Sequence, residues 1–175
     1  MKRKKCTVWD HIQIVPGTIS DFDALEGFHY REGRVVGVTR VFVAWYTGNG
    51  MRKRGIERPR ERAGVLVECH PVLNCRMRNV ALRGRYWGLE RRAAAERLNR
   101  EMRVISRVVV EPRFRGMGLA VALVRHALDR AQTRYVEAMA VMGRVNPFFE
   151  HAGMRRFSGA GPEYFLWERG INCPQ

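Results

Sequence analysis

The chain has 175 residues, 46% of them apolar, and a formal net charge of +15 from 32 Lys and Arg against 17 Asp and Glu. That length suits one domain with a substantial core, and the apolar share excludes a disordered tail. No run reaches the roughly 20 apolar residues of a bilayer span, so no membrane partner is expected. Met1-Lys-Arg-Lys-Lys5 leads into Cys6-Thr-Val-Trp-Asp10 with no long apolar stretch, which argues against a secretory signal. Cys6, Cys69, Cys75 and Cys173 lack the spacing of a disulfide framework. The expected location is cytoplasmic.

In chain order, Val8 to Val15 reads as a first strand, ended by Pro16-Gly17. Thr18 or Ser20 caps a short helix through Phe28, with Phe22, Leu25 and Phe28 on one face. Val35 to Tyr46 is a β-branched and aromatic strand stopped by Gly48-Asn-Gly50, and the basic stretch 51–62 reads as a long hairpin loop. Ala63 to Glu68 is the next strand, ended by Pro71. Arg76 to Gly88 reads as irregular. Leu89 to Met102 contains Ala93-Ala-Ala95 and neither Gly nor Pro, which predicts a helix. Val104 to Glu111 is a central strand, Gly116 to Ala131 a helix, and Tyr135 to Val141 another strand. Asn146 caps a one- to two-turn helix that ends at Gly153 in a left-handed C-cap. Arg155 to Phe157 and Tyr164 to Glu168 close the fold as an antiparallel pair. The organisation is one domain over 1–175, with basic insertions at about 48–62 and 76–103.

Charge is concentrated in those insertions. Arg52, Lys53, Arg54, Arg58, Arg60 and Arg62 face only Glu57 and Glu61, a net +4. From Arg76 to Arg103, nine Arg stand against Glu90, Glu96 and Glu101, a net +6. Arg outnumbers Lys, which suits bidentate phosphate contacts and stacking on bases. Tyr86 and Trp87 lie inside the second segment, as stacking partners for a base or as local core anchors. A polyanion is therefore the expected partner, DNA or RNA, with Arg52, Lys53, Arg54, Arg83, Arg85, Arg91 and Arg92 as its contacts. A merely solubilising basic surface is the alternative.

The richest motif is Ile105-Ser-Arg-Val-Val-Val-Glu-Pro-Arg-Phe-Arg-Gly-Met-Gly-Leu-Ala120. A strand breaks at Pro112, turns through Gly116 and Gly118, and enters an apolar helix. Free backbone N–H groups at a helix N-terminus, approached without Cβ hindrance, suit a phosphate or pyrophosphate. The spacing matches neither a nucleoside-triphosphate loop nor a full dinucleotide fingerprint. Arg113-x-x-Gly116-x-Gly118 does resemble the Q/R-x-x-G-x-G/A signature of the GCN5-related N-acetyltransferases. Val108-Val-Val110 before Pro112, and Asn146-Pro-Phe-Phe-Glu-His-Ala-Gly-Met154, resemble that superfamily's central strand and its later helix and turn. The layout also resembles the acetyltransferase-like module found beside archaeal ATPase domains, through Phe28-His-Tyr-Arg31, Leu73-Asn-Cys75 and Ala140-Val-Met142.

The resemblance implies an α/β (α+β) fold, a mixed, splayed β-sheet flanked by helices, and acetyl-CoA or another acyl-CoA as cofactor. It implies cofactor contacts at Val108 and Val110 through their backbone, and at Arg113, Arg115, Gly116, Met117, Gly118, Leu119 and Ala120. It also exposes two departures. Ser106 stands where the family often carries an acidic base, and Phe149 where it carries a tyrosine acid. Candidate substitutes are His29 and Tyr30 at the end of the first helix, since a histidine titrates near neutrality. Glu137, Ser106, Glu101 and His151 are further candidates. An exocyclic amine on a base is already neutral at pH 7 and suits a site without a carboxylate. His29-Tyr30 also resembles the phage Mom-type enzymes that modify adenine in DNA. Cys69-His70 with Cys75 fits no common zinc spacing, so no metal is expected. The expected function is an acyl-CoA-dependent N-acyltransferase acting on a nucleic-acid base or a nucleic-acid-bound acceptor. The alternatives are a protein or small-molecule N-acetyltransferase, and a degenerate acyl-CoA-binding module that only docks on nucleic acid.

Overall fold

The computed structural model describes residues 7–29, 34–48, 60–159 and 161–170. Seven strands build one mixed sheet: β1 (Ile12–Pro16), β2 (Val38–Tyr46), β3 (Glu61–Cys69), β4 (Met102–Val110), β5 (Tyr135–Ala140), β6 (Arg155–Phe157) and β7 (Glu163–Glu168). Their order is β1-β2-β3-β4-β5-β7-β6. Every neighbouring pair is antiparallel except β4 and β5, which run parallel. Among the described residues five helices flank it: α1 (Ile19–Asp23), α2 (Arg76–Ala81), α3 (Arg91–Glu101), α4 (Leu119–Asp129) and α5 (Phe148–His151).

The middle strands are apolar on both faces because both faces are covered. On one face Phe42, Leu66, Ile105, Val136, Ala138 and Phe165 pack under α4 and α5 through Leu119, Leu123, Val124 and Phe149. On the other, Val41, Val65, Val67 and Val109 pack under Phe22 and Leu25 from α1 and the turn after it. Further along that second face, Met102, Tyr135, Tyr164 and Leu166 pack with Leu98 of α3.

Several expectations shift. Residues Thr7–His11 form a 3₁₀ turn before β1, and Val8 and Trp9 reach the main core from that turn rather than from a strand. The predicted helix to Phe28 breaks into α1 and a separate 3₁₀ turn, Glu26–Phe28, so Phe28 leaves the apolar face and is exposed. The α1 start is fastened as foreseen at Thr18, whose N–H donates to Asp21 Oδ2 at 2.8 Å. The stretch read as irregular holds α2. The cause is tertiary: Arg78 is 1% exposed and donates to both carboxylate oxygens of Glu137, at 2.9 and 2.5 Å, and to the carbonyls of Val72 and Leu73. Glu137 also accepts from the Tyr164 hydroxyl at 2.7 Å. Asn146 does not cap α5. Its N–H is spent on Met142 O in the preceding turn, and Pro147 takes the cap position. Gly153 does end that helix at a φ of +101°. Among the described residues no helix is long and apolar enough to cross a membrane.

The Arg78–Glu137–Tyr164 cluster ties α2 to β5 and β7 at a depth where an unpaired charge is costly. Arg78→Met should lower unfolding free energy by about 3–5 kcal/mol, because it strands a buried carboxylate. Adding Glu137→Leu should recover most of that loss, as measured by chemical denaturation. Glu101 offers a second test. Burial pushes its carboxyl up, but hydrogen bonds from Arg85 and Arg97 prevail and hold it down at about 2. A depressed carboxyl contributes stability above its ordinary value near 4.5, and that contribution disappears as pH falls toward 2. Glu101→Gln should therefore flatten the Tm-against-pH curve between about pH 4.5 and 2 relative to the parent.

Candidate active site

β4 and β5 are paired only from Met102 to Ile105 against Tyr135 to Ala138. Beyond those four residues the strands part. On β4 the backbone of Glu111 bonds to Ala63 of β3, and the Val109 carbonyl also faces β3, where it lies 3.0 Å from the place a Cβ on Gly64 would take. Alternation then turns the N–H and C=O groups of Val108 and Val110 toward the gap. The Val110 carbonyl confirms the direction, since it accepts from Arg115 Nε at 3.1 Å. The gap is a cavity of about 780 Å³. Its walls include Val108, Val110, Phe114, Met142, Phe148 and Phe149.

The loop that closes one end of the cavity is shaped by Glu111, whose carboxylate accepts from the Arg113 N–H at 3.0 Å and caps the 3₁₀ turn Pro112–Phe114. Phe114 plugs the core beneath it. Gly116 and Gly118 then take φ values of +77° and +88°, which L side chains avoid. A Cβ at either would meet nothing within 4 Å, so the glycines answer a backbone demand and leave open space above the loop. Leu119 begins α4, and helical geometry leaves the N–H groups of its first turn unpaired toward that space. Gly116, Gly118, Leu119 and Ala120 line the cavity. Arg115 also lines it and bridges its two sides, donating to Val110 O and to Phe28 O, both at 3.1 Å. Two of the expected cofactor residues are not among the cavity walls. Arg113 is turned outward to Glu111 and Glu61, and Met117 packs against the core.

Of the candidate chemical groups, His29 and Ser106 are brought together at the cavity wall, with His151 on α5. Ser106 is the extra residue of a β-bulge: Arg107 pairs with Val67 and Ile105 with Glu68, which leaves Ser106 unmatched. The bulge lets Arg107, 8% exposed, also line the cavity, with its guanidinium donating to Ser106 O and Oγ at 3.0 and 3.2 Å. Sequence reasoning passed over Arg107, because strand alternation without the bulge gives no reason to place it there. Glu137 is corrected: both its oxygens are engaged by Arg78 and Tyr164, and it is not among the cavity walls. Glu101 is likewise committed to Arg85, Arg97 and Tyr86. Phe149 is buried in an aromatic stack with Phe148 and Phe165 and supplies no hydroxyl. Burial pushes the neighbouring Cys69 thiol up, so it is not a ready nucleophile. Tyr30 lies outside the described residues, as do Arg52, Lys53 and Arg54. Among the described cavity walls there is no carboxylate at all, against Arg107, Arg115, His29 and His151.

The basic surface is partly spent on internal pairs. Arg85 is held by Glu101 and lies against the Tyr135 ring, which removes it from the expected nucleic-acid contacts. Arg92 is exposed but paired with Glu96, one turn along α3. Arg83 and Arg91 are exposed and carry no ion pair among the described residues.

Residues 73–154, which span the cavity loop and both parted strands, match the model of the Acetyltransferase (GNAT) family. That stretch is similar to the GNAT acetyltransferases. The GNAT fold extends beyond the matched stretch. The NatC complex bound to Gag peptide and CoA aligns at a TM-score of 0.55 and 14% identity, over 90% of this chain and 98% of that one. A mutant AtaT toxin bound to the C-terminus of the antitoxin AtaR and acetyl-CoA aligns at 0.52 and 15%, over 91% and 94%. A mutant of the spermidine N-acetyltransferase SpeG from Vibrio cholerae aligns at 0.54 and 10%, over 91% and 94%. No curated protein matches the chain by sequence. The matched family is one of acetyltransferases, and the AtaT structure is bound to acetyl-CoA. The residues present suit that donor: left-handed glycines under open space for a pyrophosphate, and strand backbone freed toward the gap for an amide-bearing arm.

Gly118→Glu should abolish acetyl-CoA binding, because it strains the backbone and puts a carboxylate where the pyrophosphate belongs. Gly118→Ala, which adds only the strain, should cost about 1–2 kcal/mol of stability and a smaller part of the affinity. Isothermal calorimetry on the folded variants checks both, and an unchanged affinity in the Glu variant would remove the loop from the cofactor site.

Proposed function

We propose that the chain transfers an acetyl group from acetyl-CoA to an amine that is already neutral near pH 7 and is carried on nucleic acid, as a base amine or as a group attached to the strand. The observation that carries this reading is the lack of any carboxylate among the described cavity walls, where two arginines and two histidines stand instead. A lysine-like amine with a pKa near 10 arrives protonated and needs a strong base to free it. A polyamine such as the spermidine named for SpeG needs anionic groups to hold it. The described walls of this cavity offer neither, and a +15 chain repels cations at long range. A phosphate-bearing acceptor meets the opposite conditions.

Acetyl-CoA supplies an acyl group activated as a thioester. The acceptor nitrogen forms the new bond to the acyl carbon as the carbon–sulfur bond breaks, so one proton leaves the nitrogen and one joins the departing thiolate. His29 takes the first proton. An imidazole suits that work, and it enters the cavity from the turn after α1, on the side that Arg115 ties to the loop. Ser106, displaced by the bulge, hydrogen-bonds the acceptor or a water, and Arg107 beside it favours an anionic substituent on the acceptor. With phenylalanine at 149, a water or His151 returns the second proton. A Mom-like modification of adenine is one form of this reaction.

His29→Ala should lower kcat on the order of 10²-fold while leaving acetyl-CoA affinity unchanged. The assay is release of free thiol with DNA, RNA, peptide and polyamine acceptors, followed by mass spectrometry of the digested nucleosides. Transfer to polyamines in preference to nucleic acid would overturn the acceptor class. A wild-type chain that transfers to none of them would instead point to a binding module, which the serine and phenylalanine at 106 and 149 would then explain.

A further inference from the structure

A second cavity, of about 630 Å³, lies between α2 and α3 and shares no wall residue with the first. It is built by an uncommon turn. Arg83 holds a φ of +49°, alone in that region among the described non-glycine residues, and Gly84 follows at +71°. The Gly84 N–H donates to Asn79 O and the Trp87 N–H to Gly84 O, both at 2.8 Å. A Cβ on Gly84 would fall 2.7 Å from Trp87 Cε3 and 2.9 Å from Cδ2, so the indole lies directly on the glycine. Its remaining surface is open, with Trp87 71% exposed. Tyr86 beside it is turned inward, its hydroxyl donating to Glu101 at 3.1 Å. The two aromatics of this segment therefore do different work: one anchors the turn and the other is presented to solvent.

Around Trp87 stand Asn74, Asn79, Leu89 and Arg91. Neither amide side chain is committed to a hydrogen bond among the described residues, and no wall residue is acidic. The segment from 76 to 103 carries nine Arg against three Glu. A tryptophan backed by a glycine and open on its other side is an aromatic platform. Amides beside it match the edge of a base, and unpaired arginines match phosphates. Strained backbone at Arg83 is the kind of cost a fold keeps where a side chain must be aimed. The site also shares a sheet face with α1, whose following turn brings His29 to the first cavity.

We infer that this pocket holds one unpaired nucleobase of a single-stranded nucleic acid, stacked on Trp87, with its edge on Asn74 and Asn79 and its flanking phosphates on Arg91 and Arg83. The inference rests on the nucleic-acid reading of the acceptor and gives that acceptor a docking point outside the catalytic cavity.

The test is fluorescence polarisation of labelled 12-nucleotide single strands, as RNA, as DNA and as an abasic DNA, with the full chain and its variants. Trp87→Ala should weaken base-bearing strands about tenfold or more and leave the abasic strand unaffected, while Trp87→Phe, which keeps a ring, should recover most of the binding. Gly84→Ala, which pushes the indole off its seat, should behave like Trp87→Ala. Arg91→Ala should instead reduce the slope of log affinity against log salt by about one. An unchanged acetyl-CoA affinity shows that each variant is folded. If wild type binds strands and Trp87→Ala binds them equally well, this pocket is refuted and the acceptor reading stands. If wild type binds no strand, both fall. Concentration-dependent self-association that Trp87→Ala abolishes, with strand binding intact, would reassign the surface to a second copy of the chain.

Discussion

The parting of β4 from β5 after Ile105 and Ala138 is the constraint on which the site depends. Two parallel strands that stop bonding inside a covered sheet leave backbone donors and acceptors that must find partners. On one side the cavity mouth solves this with Arg115, which takes the Val110 carbonyl. The rest is left for a ligand with amides of its own. What keeps the strands apart is packing. Phe114 and Leu119 fill the β4 side from the loop, and Phe148 and Phe149 fill the β5 side from α5. β5 is in turn pinned from beneath by Glu137, through Arg78 and Tyr164. A buried ion pair contributes little net stability, but breaking it is costly, so it acts here to hold one strand in one place.

The same arrangement bears on why the described walls of the cavity hold no carboxylate. The acidic residues nearest the middle of the sheet are drawn into ion pairs outside the described cavity walls. Glu68 is fully buried against Arg40, and burial prevails over that partner to push its carboxyl up. Glu137 faces Arg78, and Glu163 faces Arg144 and Ser158. With those carboxylates consumed, none stands among the described walls of the cavity. The electrostatics of the site is set by where the acids went.

The cofactor half of this site was legible in the sequence, and the acceptor half much less so. A pyrophosphate loop is made by backbone conformation, and only glycine takes φ near +80° without strain, so Gly116 and Gly118 wrote their geometry into the spacing. The central strand and α4 were legible for the same reason, through β-branched residues and an apolar helical stripe. Where long-range contacts decide, local pattern failed. α2 forms because Arg78 reaches Glu137, 59 positions away. Glu137 itself looked like a free carboxylate on a strand until that partner appeared. Arg107 was overlooked because a bulge at Ser106, with no glycine to announce it, shifts the strand's alternation.

Arginine is abundant here for more than one reason. Arg78, Arg40 and Arg85 are structural, each seated on a carboxylate. Others, such as Arg60 and Arg62 over the Trp45 ring, cover aromatic surface. Counting charge alone therefore overstates the attraction to a polyanion. What survives the subtraction is more local: Arg115 at the β4–β5 cavity, and Arg83 and Arg91 beside an exposed indole on the α2–α3 turn. Arg115 and Arg91 each line one of the two cavities, and neither cavity has an acidic wall among the described residues. A surface made basic only for solubility has no reason to sort its acids away from its cavities. The proposed docking of a strand at one cavity, with its amine presented at the other, would supply that reason.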